Sequence, residues 1–386
     1  MKEGWEYKKL GEVCESDLGK TLNQAKDTGN LRPYLCAVNI QWDKIDLTTL
    51  KQTKFEDSEL ERYTVRKGDL LVCEGGDIGR AAIWDKEEPI LYQNALHRIR
   101  FNGEVLSRFC LLYLHSLKQN GILDNRYAKG VTILHLVKSS LLSIPIPVPT
   151  IEEQQQVVSE LDLLSGVIEK QKAQLEELDK LAQSIFYDMF GDPVTNEKNW
   201  DVKKLSEVSK EKLSYGSGAS AIPYDGELRY IRITDIKDNG ELNEDVVSPN
   251  QIDEKYILRE GDILFARSGA TVGKTYRHRE EYGKCLYAGY LIRLVPNIEM
   301  VMPTYVFGYT KTSYYLEFVR NAQNAVAQPN INAKQYGHLL ICVPPLSLQQ
   351  EFAAKVEAIE AMKAKVRQSL KEVETLFNER MDYYFN

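Results

Sequence analysis

Two stretches of the chain carry a heptad-like apolar pattern. Leu161, Leu164, Ile168, Leu175, Leu178, Ala182, Ile185 and Met189 recur at alternating short intervals, and Val356, Ile359, Val366, Leu370, Val373, Phe377 and Tyr384 repeat the pattern later. A mean spacing near 3.5 residues over about four heptads predicts coiled-coil helices rather than helices lying on one globular face. Gln171, Lys363 and Arg380 interrupt the seam. Tolerance of polar groups close to solvent and control of register both account for them, and the first is the simpler expectation. Thr150-Ile151-Glu152-Glu153 heads the first stretch as a capping box, and Ser347-Leu348-Gln349-Gln350 heads the second in the same way. Gly191-Asp192-Pro193 stops the first helix, glycine supplying the left-handed cap and proline blocking continuation. The helices are therefore expected over about 150–190 and 347–385, each roughly 60 Å long.

The rest reads as short β-type runs, such as Asp69–Cys73, Ile231–Ile233 and Asp262–Ala266, broken by Gly, Pro and Asn. The chain also repeats itself once. Trp5-Glu6-Tyr7-Lys8-Lys9-Leu10 returns as Trp200-Asp201-Val202-Lys203-Lys204-Leu205, and Gly68-Asp69-Leu70-Leu71 returns as Gly261-Asp262-Ile263-Leu264. Gly79-Arg80 returns as Gly273-Lys274, Val148-Pro149 as Val343-Pro344, and Gln154-Gln155 as Gln349-Gln350. The expected fold is α/β (α+β) domains in tandem duplicate, separated by two long helices that form an antiparallel coiled coil, with pseudo-twofold symmetry. The segments are a first domain over 1–145, a helical region over 146–195, a second domain over 196–340 and a second helical region over 341–386. Two copies of this size do not stack as a solenoid. Trp5 and Trp200, which open the two domains, are expected as core anchors rather than stacking platforms.

Composition narrows the function. A chain of 386 residues with 43% hydrophobic and 27% charged residues supports two real cores. No apolar run approaches the roughly 18 residues of a membrane span, so no membrane association is expected. The N-terminal residues Met1–Trp5 show no apolar leader, and the six cysteines are dispersed, which together predict a reducing, cytoplasmic setting. The five histidines lack metal-ligand spacing. Net charge is −7, and it sits almost wholly in residues 146–199, with 4 basic and 11 acidic side chains, while the other segments are near neutral. Such an acidic helix suits protein or solvent better than DNA. Signals for catalysis are poor. No Asn/Asp-Pro-Pro-Tyr/Phe motif is present for gripping a flipped base, and no acid cluster accompanies Glu6-Tyr7-Lys8 as a nuclease would need.

The candidate chemistry is that of nucleic-acid binding. Arg267-Ser268-Gly269-Ala270-Thr271-Val272-Gly273-Lys274 follows a predicted strand, but Ser268 stands where a nucleotide-binding P-loop needs glycine. Glycines that let backbone N–H groups approach phosphate, flanked by Arg267 and Lys274, suit a DNA backbone. A plain basic hairpin turn is the simpler alternative. Asn324, Gln328 and Asn330 form a run of amides that suits either turns or adenine edges. In the first half, Arg80, Asn94, Arg98, Arg126, Lys129 and Thr132 occupy the corresponding stretches, with His97 beside Arg98 as a possible strand residue. A duplicated chain matches the local twofold symmetry of duplex DNA, as half-site readers do.

These features resemble the specificity subunit of type I restriction–modification systems. The resemblance spans almost the whole chain. Its carriers are Trp-x-x-Lys-Lys-Leu at each domain start, the Gly-Asp-Leu/Ile-Leu strand, the loop from Arg267 to Lys274, Gln328-Pro329-Asn330-Ile331-Asn332, and Val343-Pro344-Pro345-Leu346-Ser347-Leu348-Gln349-Gln350-Glu351. It implies two target recognition domains that each read one part of a split, asymmetric site in double-stranded DNA. It implies that the helices set the spacer and dock two methyltransferase (M) subunits, and that restriction (R) subunits join that assembly. Off-seam apolar residues such as Val157, Leu163, Val167 and Leu181 are the expected meeting points. The chain itself would be non-catalytic, with no cofactor of its own; S-adenosylmethionine, ATP and Mg would belong to the partners. The first copy departs from the pattern. Cys73-Glu74-Gly75-Gly76-Asp77 carries two acids where the second copy has Arg267 and Ala270, and Gly130-Val131-Thr132-Ile133 replaces the Pro-Asn-Ile-Asn run. The two domains are therefore expected to read different sequences. A coiled-coil scaffold that binds only protein, or an enzyme with an unrecognised site, remains open on sequence alone.

Overall fold

The computed structural model describes residues 4–23, 27–130, 134–324 and 330–386, the side chain of Asn324 excepted. The chain divides into two compact units, Met1–Lys170 with Leu370–Asn386, and Gln171–Ser369. Both long helices are shared between the units at their middles.

Each unit contains a four-stranded antiparallel sheet of the same topology. In unit one, β1 (Cys14–Leu18), β2 (Leu70–Cys73), β3 (Ala81–Ile83) and β4 (Leu96–Phe101) lie in the order β1-β4-β2-β3. In unit two, β5 (Ser214–Tyr215), β6 (Ile263–Ala266), β7 (Thr275–Arg277) and β8 (Leu291–Leu294) lie in the order β5-β8-β6-β7. Leu96 pairs with Cys73, and Leu291 pairs with Ala266 in the equivalent register. Every residue of β2 and β6 is buried, which explains their unbroken apolar sequences. The repeated Gly-Asp ahead of each is a turn rather than strand. Asp69 accepts from the Arg66 amide at 2.7 Å and Asp262 from the Arg259 amide at 2.9 Å, so each strand starts one residue later than its sequence run. The run Ile231–Ile233 is only partly strand. Arg229–Ile231 pairs in parallel with Cys285–Tyr287, and the chain then turns into a short 3-10 segment over Ile233–Asp235. Unit one contains the equivalent parallel pair, with Leu91 opposite Tyr34.

The long helices span Ile151–Phe190 and Leu346–Phe385. Thr150 Oγ1 accepts from the Glu153 amide at 3.2 Å while the Glu153 carboxylate accepts from the Thr150 amide at 2.9 Å, completing the expected capping box. The second box does not form as expected. The helix begins at Leu346, with the Leu348 amide bonded to the Pro345 carbonyl at 3.0 Å, so Ser347 is already helical and no longer a cap. Gly191, at φ 76°, ends the first helix.

The repeated Gln-Gln pair has a structural cause. Gln154 is fully buried; its Oε1 accepts from the Leu106 amide at 2.8 Å, and its Nε2 donates to the carbonyls of Glu104 and Pro149 at 2.8 and 2.9 Å. Gln349 does the same with the Met302 amide and the carbonyls of Met300 and Pro344 at 2.8, 3.0 and 2.8 Å. Each glutamine satisfies three backbone groups that packing has removed from water, and so ties a helix start to its domain.

In each unit the two helix segments run antiparallel. Unit one packs Leu161, Leu164 and Ile168 with Phe377, Met381 and Tyr384 into the same cluster as the domain helix Ser107–Gln119. Unit two gathers Phe186, Phe190, Phe352, Tyr305 and Tyr309 into an aromatic core. The helix ends therefore belong to the domain cores as well as to the seam. Trp5 and Trp200 are half-buried against these cores, Trp5 edge-on to Phe109 at 5.9 Å and Trp200 donating to the Phe190 carbonyl at 2.9 Å.

Each polar interruption of the seam has a partner, although Arg380 keeps a side-chain exposure of 31%. Gln171 Nε2 donates to Ser369 Oγ at 2.7 Å, Lys363 Nζ lies 2.6 Å from Asp179, and Arg380 pairs with Glu160. Lys363 is only 4% exposed. Each polar residue meets a polar group on the opposing helix, which penalises every other register. Val157 is corrected as an outward residue, since it is buried in the core of unit one. Leu163 and Leu181 are exposed, and Val167 is half-buried. Among the described residues no helix is long and apolar enough to cross a membrane, and no cluster of potential ligands for a metal ion occurs.

Candidate nucleic-acid interface

Beyond the end of β2 in unit one, three chain segments meet. The Glu74 amide donates to the Ala95 carbonyl at 2.9 Å, and the Leu136 amide donates to the Glu74 carbonyl at 2.7 Å. His135 bridges to Gly75 and to Lys129, so the strand-end loop, the Asn94–Ala95 turn and the segment around Lys129 form one cluster. Unit two builds the same frame. The Arg267 amide donates to the Tyr290 carbonyl at 3.1 Å, the Ile331 amide donates to the Arg267 carbonyl at 2.8 Å, and Asn330 bridges to Ser268. Position by position, Glu74, Ala95 and His135 in unit one stand where Arg267, Tyr290 and Asn330 stand in unit two. The backbone is kept and the displayed chemistry is changed.

Glycine makes the close approaches possible. A Cβ on Gly216 would lie 2.3 Å from the Tyr287 carbonyl oxygen, and one on Gly19 would lie 2.3 Å from the Gln93 carbonyl, so neither position admits a side chain. Gly269, at φ 69°, is different, because a Cβ there meets nothing within 4 Å. Its backbone faces open space.

In unit two, Asn330 of the amide run meets the sequence-predicted loop. Arg267 Nε lies 3.4 Å from Asn330 Oδ1 although the residues are 63 positions apart. The Arg267 guanidinium stands over the Tyr215 ring at 4.7 Å from its centroid. Ser268 and Thr271 are half-buried, the Thr271 hydroxyl donating to the Ser268 carbonyl at 3.1 Å. Lys274 is paired with the exposed Asp238 at 3.0 Å, which reduces its pull on a phosphate. Asn324 ends the helix Ser313–Asn324, and the side chain of Asn324 and all of Gln328 lie outside the described residues.

In unit one, Arg126 and Lys129 are exposed beside this frame. Asn94 is half-buried, its Nδ2 donating to Thr21 Oγ1 at 3.3 Å. Arg80 turns inward and donates to the Ala37 carbonyl at 2.8 Å. Thr132 lies outside the described residues. Arg98 is corrected. It is 6% exposed and donates to the carbonyls of Arg62 and Thr64 at 3.1 and 2.7 Å, so its charge is committed to the fold. Its repeat partner Arg293, 7% exposed, donates to the Ile257 carbonyl at 3.3 Å. The repeat of this arginine therefore reflects a shared core contact. His97 is fully buried with Nε2 on the Leu136 carbonyl at 2.8 Å, and burial holds its pKa below the usual histidine value.

Two exposed aromatics escaped sequence reasoning. Tyr215 is 41% exposed and Tyr290 is 61% exposed, beside Arg267. Their only sequence signals are the adjoining glycines, Tyr215-Gly216 and Gly289-Tyr290.

Comparison with known proteins gives the arrangement its context. The EcoBI specificity subunit of a type I restriction enzyme from Escherichia coli is 23% identical over 330 residues, covering 78% of this chain and 68% of that protein. The MjaIX specificity subunit from Methanocaldococcus jannaschii is 24% identical over 317 residues, covering 76% and 71%. The crystal structure of the S subunit of a type I restriction–modification system from M. genitalium superposes with a TM-score of 0.57 at 14% identity, covering all of this chain and 98% of that one, which shows a shared fold. The profile described as the type I restriction modification DNA specificity domain matches residues 2–180 and again 197–375, one copy for each repeat. With both halves matched, the chain belongs to the type I restriction–modification DNA specificity domain family.

Proposed function

We propose that the chain supplies DNA sequence specificity to a type I restriction–modification complex, each unit reading one part of a split, asymmetric site in duplex DNA. The observation that carries this reading is the conserved backbone frame with exchanged side chains. A device that must address two different sequences through one fold keeps its scaffold and varies the groups that meet base edges. Arg126 and Lys129 in unit one, and Arg267, Gly269, Lys274 and Asn330 in unit two, are the residues proposed to meet DNA.

The long helices set the separation of the two reading heads and offer their outer faces to two methyltransferase subunits, with restriction subunits joining that assembly. The exposed Leu163 and Leu181 support the helix faces as protein contacts, because large apolar side chains in water favour burial against a partner. The chemistry, with S-adenosylmethionine, ATP and Mg, belongs to those partners, and the complex works in the cytoplasm.

The test is methylation mapping with a complex in which one heptad is removed from both helices. Each rod shortens by roughly 10 Å, about three base pairs of duplex. The methylated motif is expected to keep both half-sites and change or lose its spacer. An unaltered motif refutes the ruler. A chain that acts only as a protein scaffold instead predicts no salt-dependent DNA binding by the complex.

A further inference from the structure

We infer that Arg267 is the guanine reader of unit two, so that this unit's half-site contains a G·C pair whose guanine it contacts in the major groove. The inference rests on the DNA-reading role proposed above and adds to it the base identity and the side chain.

The argument begins with what the other arginines of unit two do. Arg232, Arg259, Arg277, Arg279, Arg293 and Arg367 are each paired with a carboxylate. Arg229 is spent on the Asn243 carbonyl at 2.6 Å. Arg320, on the helix Ser313–Asn324, is exposed and has no carboxylate or ring partner among the described residues, so nothing orients its guanidinium. Arg267 has no acid partner among the described residues. Its contacts are the Tyr215 ring and Asn330 Oδ1, and it is half-buried. Its Nη1 and Nη2 make no hydrogen bond to a described residue, yet neither is among the buried polar atoms left without a partner. Neither nitrogen is therefore sealed from solvent.

This is an oriented fork rather than a loose charge. The Tyr215 ring holds the guanidinium from one side at 4.7 Å from its centroid, and the Nε contact with Asn330 at 3.4 Å restrains its rotation. A phosphate contact needs neither constraint, since charge alone serves it. A base-edge contact needs both, since two parallel N–H groups must meet two acceptors. Guanine alone presents two adjacent acceptors, O6 and N7, in the major groove. Adenine and cytosine present an amino donor there, which faces the donor-only guanidinium without a bond.

The equivalent place in unit one sharpens the assignment. The same backbone bonds hold Glu74 there, a carboxylate that only accepts and that phosphate repels. Guanine reading by this position is thus confined to the half-site of unit two.

The test compares the wild-type complex, assembled with its methyltransferase subunits, with complexes carrying Arg267→Ala and Arg267→Lys. The readout is the methylated motif, with relative rates on duplexes substituted at each position of the site. The wild-type motif should contain a G·C pair in one half-site at which Arg267→Ala lowers discrimination by roughly 5- to 150-fold, every other position keeping its stringency. Arg267→Lys keeps the charge and loses the fork, so it should retain most DNA affinity and still relax the same position. It also serves if the alanine variant assembles poorly. A uniform loss of rate on all duplexes that lysine restores would place Arg267 on a phosphate and overturn the inference. Relaxation at an A·T pair, or an unchanged motif in both variants, would also overturn it. A wild-type complex that methylates no split motif would instead overturn the DNA-reading role itself.

Discussion

Replacing Lys363 by methionine is expected to destabilise unit two by about 1–3 kcal/mol. The lysine sits at an apolar position of the helix seam, its side chain 5% exposed, with Nζ 2.6 Å from Asp179, 3.1 Å from Glu360 and 3.6 Å from Glu241. Burial opposes its charge, but the carboxylates of Asp179 and Glu360 outweigh burial and raise its pKa. Breaking a fully buried ion pair from one side costs about 3–5 kcal/mol. That ceiling is not reached here, because the three carboxylates are 38%, 28% and 31% exposed and regain water once the lysine is gone. What is lost is a charge-assisted hydrogen bond, worth roughly 1.5–3 kcal/mol, partly offset by the packing of the methionine chain. For a unit of this size each kcal/mol corresponds to about 2–4 °C in melting temperature. The assay is thermal and urea unfolding of Lys363→Met, Asp179→Asn and the double variant. The cycle should show a coupling of about 0.5–3 kcal/mol. Effects that add within about 0.5 kcal/mol, or a loss that high salt abolishes as it would for an exposed pair, would refute the account of a buried register lock.

Three further outcomes follow from the packing. Phe352→Ala removes a ring that is 1% exposed and lies 5.6 Å from Phe186 and 5.3 Å from Phe190, and should cost about 3–5 kcal/mol in urea unfolding; a neutral result would contradict the aromatic core. Gly216→Ala should be strongly destabilising because the new Cβ meets backbone oxygens, whereas Gly218→Ala, which meets nothing within 4 Å, should be tolerated; equal melting temperatures would be inconsistent with that geometry. His97 is held neutral by burial, its folded pKa below the usual 6.5. The stability it contributes is complete above about pH 6.5 and is lost as pH falls through the depressed folded value. His97→Gln, which can still donate to the Leu136 carbonyl, should flatten the fall in urea midpoint between about pH 7.5 and about pH 5.5, and an unchanged slope would show that the ring is not the group responsible.

The order of elements was open to reading from the sequence because the signals are local. Apolar spacing at 3.5 residues, a capping threonine and a Gly-Asp-Pro stop act within a few residues of each other, and they located the first helix to within a residue at either end. The second helix starts at Leu346, one residue earlier than expected, so Ser347 lies inside it instead of capping it. The internal repeat disclosed that two equivalent domains exist, and the exchange of acids for Arg267 and Ala270 disclosed that their loops differ. Burial and pairing were not readable in that way, since each depends on residues far apart in the chain. Gln154 and Gln349 read as parts of helix caps, but their amides bind domain backbone about 50 positions away. Arg98 and Arg267 are both arginines near predicted strands. The first is drawn into the core by two carbonyls, and the second is held against Tyr215 and Asn330 from remote segments. Lys363 reads as a flaw in a seam until Asp179 is found opposite it. The sequence by itself settled which segments are helices, where they stop and that the plan occurs twice, because backbone hydrogen bonding and helical periodicity are satisfied among near neighbours. Only the tertiary structure decided which polar side chains remain free to meet a partner, because desolvation and ion pairing are set by groups that the fold alone brings together.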